Sequence, residues 1–265
     1  ALYVAYHGQH YGGPETLGDA AKRSVLIKLI RPQLLAGHPK GVMRDLLRLQ
    51  QLRHPHLPQA IDCCPLDSIG TVALVEAATA DYGPRSLMRA IFRGRQEEFT
   101  IFDLLPAVEQ IGDALTYIHR QKMHHGDVRP ETIALLPGLA LLCDAGLAHA
   151  LGGIARQRIL ADSGEDDFWA PEVRAGHPPT VVADVFGLSA VVKHALAGRQ
   201  PHRWQALMQQ WPALATVLTR ATLPDPAQRY RSVASFVRDL RAAIHPHAAA
   251  LQPPPAAATA MDPDR

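Results

Sequence analysis

The sequence predicts an α+β protein of two lobes: a small strand-rich N lobe carrying one helix, and a larger, mainly helical C lobe. Three observations carry that prediction. The N-terminal part contains short β-branched runs with turn residues between them. A long stretch beginning at Thr100 places apolar residues at helical spacing. Farther on, "DVFGLSAVVKHALAG" (184–198) is apolar almost throughout, as only a buried helix would be.

The elements follow in order. "LYVAY" (2–6) and "RSVLIKLI" (23–30) read as strands, with "GQHYGGP" (8–14) a glycine-rich turn between them. "PKGVMRDLLRLQQL" (39–52) is a helix whose stripe is Val42, Leu46, Leu49 and Leu52. Two prolines in "RHPHLP" end it. "IGTVALVEA" (69–77) is another strand. "TIFDLLPAVEQIGDALTYIHRQ" (100–121) is an amphipathic helix with Ile111, Leu115 and Ile118 on one face. "TIALL" and "LALLCD" are short strands, and "SVASFVRDLRAAI" (232–244) is a final helix. The expected boundaries are N lobe 1–78, hinge 76–81, C lobe 82–244, and a disordered Pro/Ala-rich tail or linker at 245–265.

Bulk properties narrow the class. Hydrophobic residues are 47% and charged residues 20%, values of an ordinary globular domain. A net charge of +2 gives no field to draw nucleic acid or a membrane surface. The fourteen histidines are scattered, without zinc-site spacing. Cys63 and Cys64 are neighbours and Cys143 sits in an apolar run, so all three read as free thiols in a reducing compartment. The longest apolar region is broken by Pro137, Gly138 and Asp144, as two strands would be and a membrane span would not. The start at Ala1 and the tail composition suggest a piece of a longer protein. The expected location is the cytoplasm, as a whole protein or as the cytoplasmic domain of a longer one.

The chemistry centres on "HHGDVRPETI" (124–133). Asp127 there and Asp144 after the next strand would approach one another through the intervening hairpin. Lys28 lies in a strand core, where a buried ammonium needs an anionic partner. Asp45 on the following helix could supply one. Glycines near residues 8 to 13 could bring backbone N–H groups to a phosphate. Together these are parts for binding a metal-bound phosphate and transferring it. Singly, Lys28 also reads as a snorkelling strand residue and Asp127 as a turn cap.

From these residues the chain resembles the eukaryotic-like (Hanks-type) protein kinase family, with a bacterial Ser/Thr kinase flavour, over residues 2 to 244. "VLIK" resembles the strand whose lysine, here Lys28, binds phosphate. Counting back from "RHPHL", Asp45 falls where the family's helix glutamate pairs with that lysine. "HGDVRPET" resembles the catalytic loop, with Asp127 as base. "DAG" resembles the metal-binding motif, with Asp144 as magnesium ligand. "WAPE" closes the activation segment. Asp184 matches the aspartate that braces the catalytic loop, and Arg229 the arginine that pairs with Glu172. The resemblance implies a bilobal kinase fold, ATP and Mg2+, and transfer of phosphate to Ser or Thr hydroxyls. The nucleotide site would take Gly8, Gly13, Leu26, Lys28, Val75, Glu76, Ala78, Ala134 and Asp144. The hinge would lie at Glu76 to Ala78, with Val75 at the back of the pocket. Arg129 would neutralise the transferring phosphate.

Several positions depart from the family pattern. Thr132 replaces the asparagine that binds a second magnesium, a hydroxyl for an amide carbonyl. Asp45 is one methylene shorter than glutamate, about 1.5 Å of reach. Ala145 replaces a phenylalanine that packs between the helix and His125, with Leu49 expected as the upper contact. His10 and Glu15 stand in the glycine loop when Gly8 and Gly13 are its first and third glycines, and Gly12 offers another register. Leu26 on the pocket roof and Ala134 on its floor look like a volume exchange. Gly126 replaces the arginine that reads activation-loop phosphorylation. The expected function is therefore weak or atypical Ser/Thr phosphorylation. The alternative is a pseudokinase acting as a nucleotide-binding, scaffolding or allosteric module. No basic stripe or aromatic platform suggests nucleic acid, and no membrane segment is expected within the chain.

Overall fold

The computed structural model describes residues 3–10, 23–35, 39–66, 68, 70–77, 100–151, 166–198 and 200–248. In the N lobe, β1 (Tyr3–His10), β2 (Arg23–Ile30), β3 (Ala60–Leu66) and β4 (Thr71–Ala77) form an antiparallel sheet in the order β1-β2-β4-β3. β1 runs farther than expected: Gly8, Gln9 and His10 pair with Val25, Ser24 and Arg23 instead of turning. β3 carries Pro65 and a register shift between Ala60 and Asp62, and it lies at the sheet edge. Only an edge strand tolerates both, and its irregular pattern gave no strand signal in the sequence.

Helix α1 (Pro39–Leu49) crosses this sheet. Its expected stripe, Val42, Leu46 and Leu49, is buried, and Leu52 joins it from the following turn. Burying a leucine such as Leu46 stabilises by about 1.5–3 kcal/mol, so this stripe fixes the helix. Met43 meets Cys63 of β3 sulfur to sulfur at 3.5 Å.

The first described element of the C lobe is α2 (Ile101–Arg120). Thr100 caps it reciprocally: its hydroxyl accepts the Asp103 N–H, and the Asp103 carboxylate accepts the Thr100 N–H. Ile111, Leu115 and Ile118 are buried on its inner face. The hairpin β5 (Ile133–Leu136) and β6 (Leu139–Leu142) follows. Then come α3 (Pro171–Arg174), α4 (Val181–Ala197), α5 (Pro201–Gln210), α6 (Pro212–Ala221) and α7 (Val233–Ala248). α7 runs four residues past the boundary expected at 244. α4 is buried along nearly its whole length, as its composition demanded. Gly187 lets it approach the 124–132 loop: a Cβ there would lie 2.8 Å from the Val128 carbonyl oxygen. One contiguous apolar cluster runs through both lobes, from Ile30 and Leu74 to Ile111, Leu142 and Phe236. Among the described residues, no single helix is long and apolar enough to cross a membrane.

Candidate active site

The loop at 124–132 is held from beneath by α4. Asp184 accepts three hydrogen bonds, each 2.8 Å, from the His125 N–H, the Gly126 N–H and the His119 ring. Burial alone would push the Asp184 carboxyl up. The bond from His119, the nearby imidazoles of His125 and His119, and the Gly126 N–H outweigh it and hold the group below the usual carboxylate range. Gly126 sits at φ +78°, a left-handed conformation, and a Cβ there would meet Pro179 at 3.0 Å. Glycine thus stands where the backbone itself favours glycine.

His125 links this loop to the next strand. Its Nε2 lies 2.9 Å from the Cys143 carbonyl oxygen, and its Nδ1 lies 3.2 Å from the Asp127 N–H. The two bonds together fix the tautomer: Nε2 donates and Nδ1 accepts. Asp127 and Asp144 are thereby set by the two ends of one imidazole. Asp127 is buried, and burial pushes its carboxyl up against the opposing influence of the Arg129 guanidinium and the His125 ring. The Arg129 Nε stands 3.5 Å from the Asp127 carboxylate.

Thr132 closes the loop on itself. Its hydroxyl accepts the Arg129 N–H at 3.2 Å and lies 3.0 Å from both the Asp127 and Arg129 carbonyl oxygens, to either of which it donates. The side chain is buried and engaged with loop backbone. This bracing position is where the sequence suggested a magnesium ligand.

The N-lobe half of the site differs from expectation. Lys28 is 1% exposed, and its ammonium lies 2.6 Å from Asp144 and 2.5 Å from Glu76. The expected tie to Asp45 is not made. The Asp45 carboxylate is 24% exposed, with Arg44 at 3.6 Å and Arg48 at 3.8 Å on its own helix. Two physical reasons account for this: Asp45 is a methylene short, and β4 already presents a carboxylate to the lysine. Lys28 pairs across the strands with Leu74, and Leu26 with Glu76, so Lys28, Leu26, Leu74 and Glu76 share one face. Val75 pairs with Ile27 and projects from the other face. The back of the pocket therefore belongs to Glu76, one residue from the expected Val75. Burial pushes the Glu76 carboxyl up, Lys28 opposes that, and Asp144 adds to it.

Asp144 has φ +61°, the left-handed region that aspartate tolerates better than most residues. Its neighbour Cys143 is half-buried, and the desolvation there pushes its thiol up to about 12. Beside Ala145, the space at Gly146 is occupied: Leu49, the expected contact, and Met123 each lie 2.7 Å from where a Cβ on Gly146 would stand. Met123 directly precedes the histidine pair, and a flexible thioether suits such an irregular gap. Leu26 and Ala134 are both buried, yet neither joins the contiguous core, consistent with walls of a cleft. Gly8 lies within β1, whereas Gly13 and Ala78 lie outside the described residues, as do Gly12 and Glu15.

Glu172 of α3 and Arg229 form a bidentate pair, 2.7 Å on each arm. The same guanidinium donates to the Leu223 and Pro224 carbonyl oxygens at 2.6 and 2.9 Å. Burial would push the Glu172 carboxyl up, but the Arg229 bonds outweigh it and hold it below the usual range. The expected structural pair is thus in place at the base of the C lobe.

Chemically, the cleft joins a cation, a carboxylate aimed at that cation, and a second carboxylate on a braced loop. Among the described residues, no group of three or more His, Cys, Asp or Glu could enclose a metal. Magnesium does not need such a cage, since one or two carboxylates with phosphate oxygens and water suffice. Asp144 beside Lys28 fits that form of binding.

A family model described as the protein kinase domain matches residues 16–244. The serine/threonine-protein kinase PkaB of Streptomyces coelicolor is 27% identical over 220 residues, 75% of this chain and 49% of that protein. The serine/threonine-protein kinase PknD of Mycobacterium tuberculosis is 25% identical over 253 residues, 84% of this chain and 35% of that protein. The chain thus spans half or less of either relative. A crystal structure of the M. tuberculosis PknI kinase domain superposes with a TM-score of 0.67 at 22% identity, covering 92% of this chain and 91% of that one, a likeness of fold.

Proposed function

Because the chain belongs to the protein kinase domain family, related to bacterial Ser/Thr kinases, we propose that it transfers the γ-phosphoryl group of ATP to a Ser or Thr hydroxyl of a protein. One observation supports this above the others. Lys28, Asp144 and the Asp127 loop are assembled on one cleft by His125 and Asp184. In this reading the substrate oxygen bonds to the γ-phosphorus while the bond to the ADP oxygen breaks. The hydroxyl proton passes to the Asp127 carboxylate. Lys28 holds the phosphates of ATP, and Arg129 offsets the charge of the group in transit. Asp144 would hold a magnesium ion, which supplies charge neutralisation at the phosphates.

The working place of this domain is proposed to be the cytoplasm, where ATP and reduced thiols are found; the three cysteines are unpaired with one another. Asp127→Ala is expected to lower radiolabelled phosphotransfer by about 10²–10⁴-fold. Equal incorporation by wild type and variant would overturn the reading.

A second reading rests on Thr132. With its hydroxyl on loop backbone, Asp144 is the one metal ligand that the two motifs present. A pseudokinase that binds nucleotide without turning it over would share this geometry. Phosphotransfer titrated with magnesium separates the two readings. An enzyme with one protein ligand shows activity rising to millimolar metal, whereas a pseudokinase shows an ATP-induced thermal shift and no transfer at any metal concentration.

A further inference from the structure

Lys28 is clasped by the sheet that carries it. Its ammonium lies 2.5 Å from Glu76, whose strand β4 is hydrogen-bonded directly to β2. The pairing of Lys28 with Leu74 and of Leu26 with Glu76 puts the two charged side chains on one face, diagonal to one another. Both are buried. The acid of helix α1 expected to do this work is turned elsewhere: the partly exposed Asp45 lies near Arg44 and Arg48 of its own helix. Among the described residues, α1 is attached through apolar contacts, by Leu46, Leu49 and the Met43–Cys63 contact.

Without a carboxylate on the sheet, the pull of Asp144 would draw the buried ammonium toward the C lobe and away from an incoming phosphate. A second carboxylate fixed on the opposite strand centres it. We infer that Glu76 is the positioning residue of Lys28, so that the phosphate-binding lysine is oriented by the N-lobe sheet and not by α1. Within the kinase reading on which this rests, displacement of α1 leaves Lys28 in place. Together with Gly126, which offers no arginine for a loop phosphate, this describes a cleft assembled without the helix-borne switch.

A double-mutant cycle tests this, read by isothermal titration with ATP and, in parallel, by urea unfolding midpoints. Lys28→Met and Glu76→Gln are each expected to weaken ATP binding about tenfold, and the double variant no more than the worse single one, because the second change removes a contact already lost. Asp45→Asn is expected to stay within about twofold of wild type and to act independently of Lys28→Met. Independent effects of Lys28→Met and Glu76→Gln on ATP affinity, or coupling between Asp45 and Lys28, would overturn the inference. A purely structural pair would show coupling in the urea midpoints and none in ATP affinity, which also refutes positioning. Should wild type bind no ATP, the kinase reading fails; the urea cycle then tests the Glu76–Lys28 pair, and absence of coupling there rejects it too. If Glu76→Gln does not fold, Glu76→Asp, which keeps the charge and shortens the reach, takes its place. Its expected loss lies between wild type and Lys28→Met, and no loss would refute the role.

Discussion

The two halves of the cleft are built on different logic. On the C-lobe side, the ionic braces are multiply bonded: Asp184 takes three donors, and Arg229 takes both oxygens of Glu172 and backbone carbonyls as well. These residues stand where the family pattern puts them. On the N-lobe side the ionic wiring has moved. The helix acid faces solvent, and a strand glutamate has taken the lysine. A residue with several partners cannot be exchanged singly without orphaning the others, whereas a carboxylate that would serve a single lysine can be replaced by another within reach. That difference explains why one half is conservative in its wiring and the other is not.

The sharpest way to break the comparison is to remove a C-lobe brace. Arg229→Ala leaves Glu172 and two carbonyl groups without their donor in a buried setting. The expected loss is about 3–5 kcal/mol of unfolding free energy, measured by urea denaturation. A loss below about 1 kcal/mol would mean that the C-lobe braces are no more demanding than surface pairs.

Asp184→Asn ranks next. The amide keeps one acceptor but turns its NH2 toward donors, leaving at least one loop N–H unpaired, at a cost of about 1–3 kcal/mol. The effect depends on pH in a definite direction. The Asp184 carboxyl is held below its ordinary value, so the stability it gives is complete above the unfolded-chain pKa of about 3.9 and is lost as pH falls through the lower folded value. The wild-type advantage over Asp184→Asn should therefore be flat at neutral pH and shrink on acidification below about 4. An advantage that grew on acidification would have the wrong sign.

Much of the C-lobe half was legible in the sequence because its parts are local. "HHGDVRPETI", "CDAG" and "WAPE" each carry their neighbours' positions within a few residues, and α2 and α4 announce themselves by apolar periodicity. The N-lobe half depends on a strand register. In β4, Val75 and Glu76 are adjacent in sequence but face opposite sides, so a one-residue error exchanges a pocket wall for the outer face. Nothing local distinguishes a glutamate that ends a strand at a hinge from one that turns its carboxylate onto Lys28. Met123 was hidden for a related reason: only the tertiary gap beside Ala145 gives it a role. The edge strand β3 was missed because Pro65 and a register shift erase its alternation.

Gly126 sharpens the comparison at intermediate size, because it is the position of the 124–132 loop whose backbone conformation itself calls for glycine. Gly126→Ala should destabilise by about 1–2 kcal/mol, since φ +78° disfavours a side chain and the new methyl would press on Pro179 at 3.0 Å. Thermal unfolding of the variant checks this. A neutral result would show that the loop relaxes, and with it that Asp184 holds the loop less firmly than its three bonds imply.

The smallest effect belongs to the residue that the family pattern would make one of the most important. Asp45→Ala removes a carboxylate that is partly solvated and has only exposed arginines near it, at 3.6 and 3.8 Å. Such contacts contribute about 0–1 kcal/mol, and alanine is the better helix former, so the two changes oppose each other. The expected change in unfolding free energy is within about 0.5 kcal/mol of zero. Leu46, one residue along the same helix, gives the internal reference. It is fully buried, and Leu46→Ala should cost about 2–5 kcal/mol. If Asp45→Ala approached that cost, the helix would be held by its charge after all. A near-zero value beside a large one for Leu46 is what a helix attached by its apolar stripe alone must give.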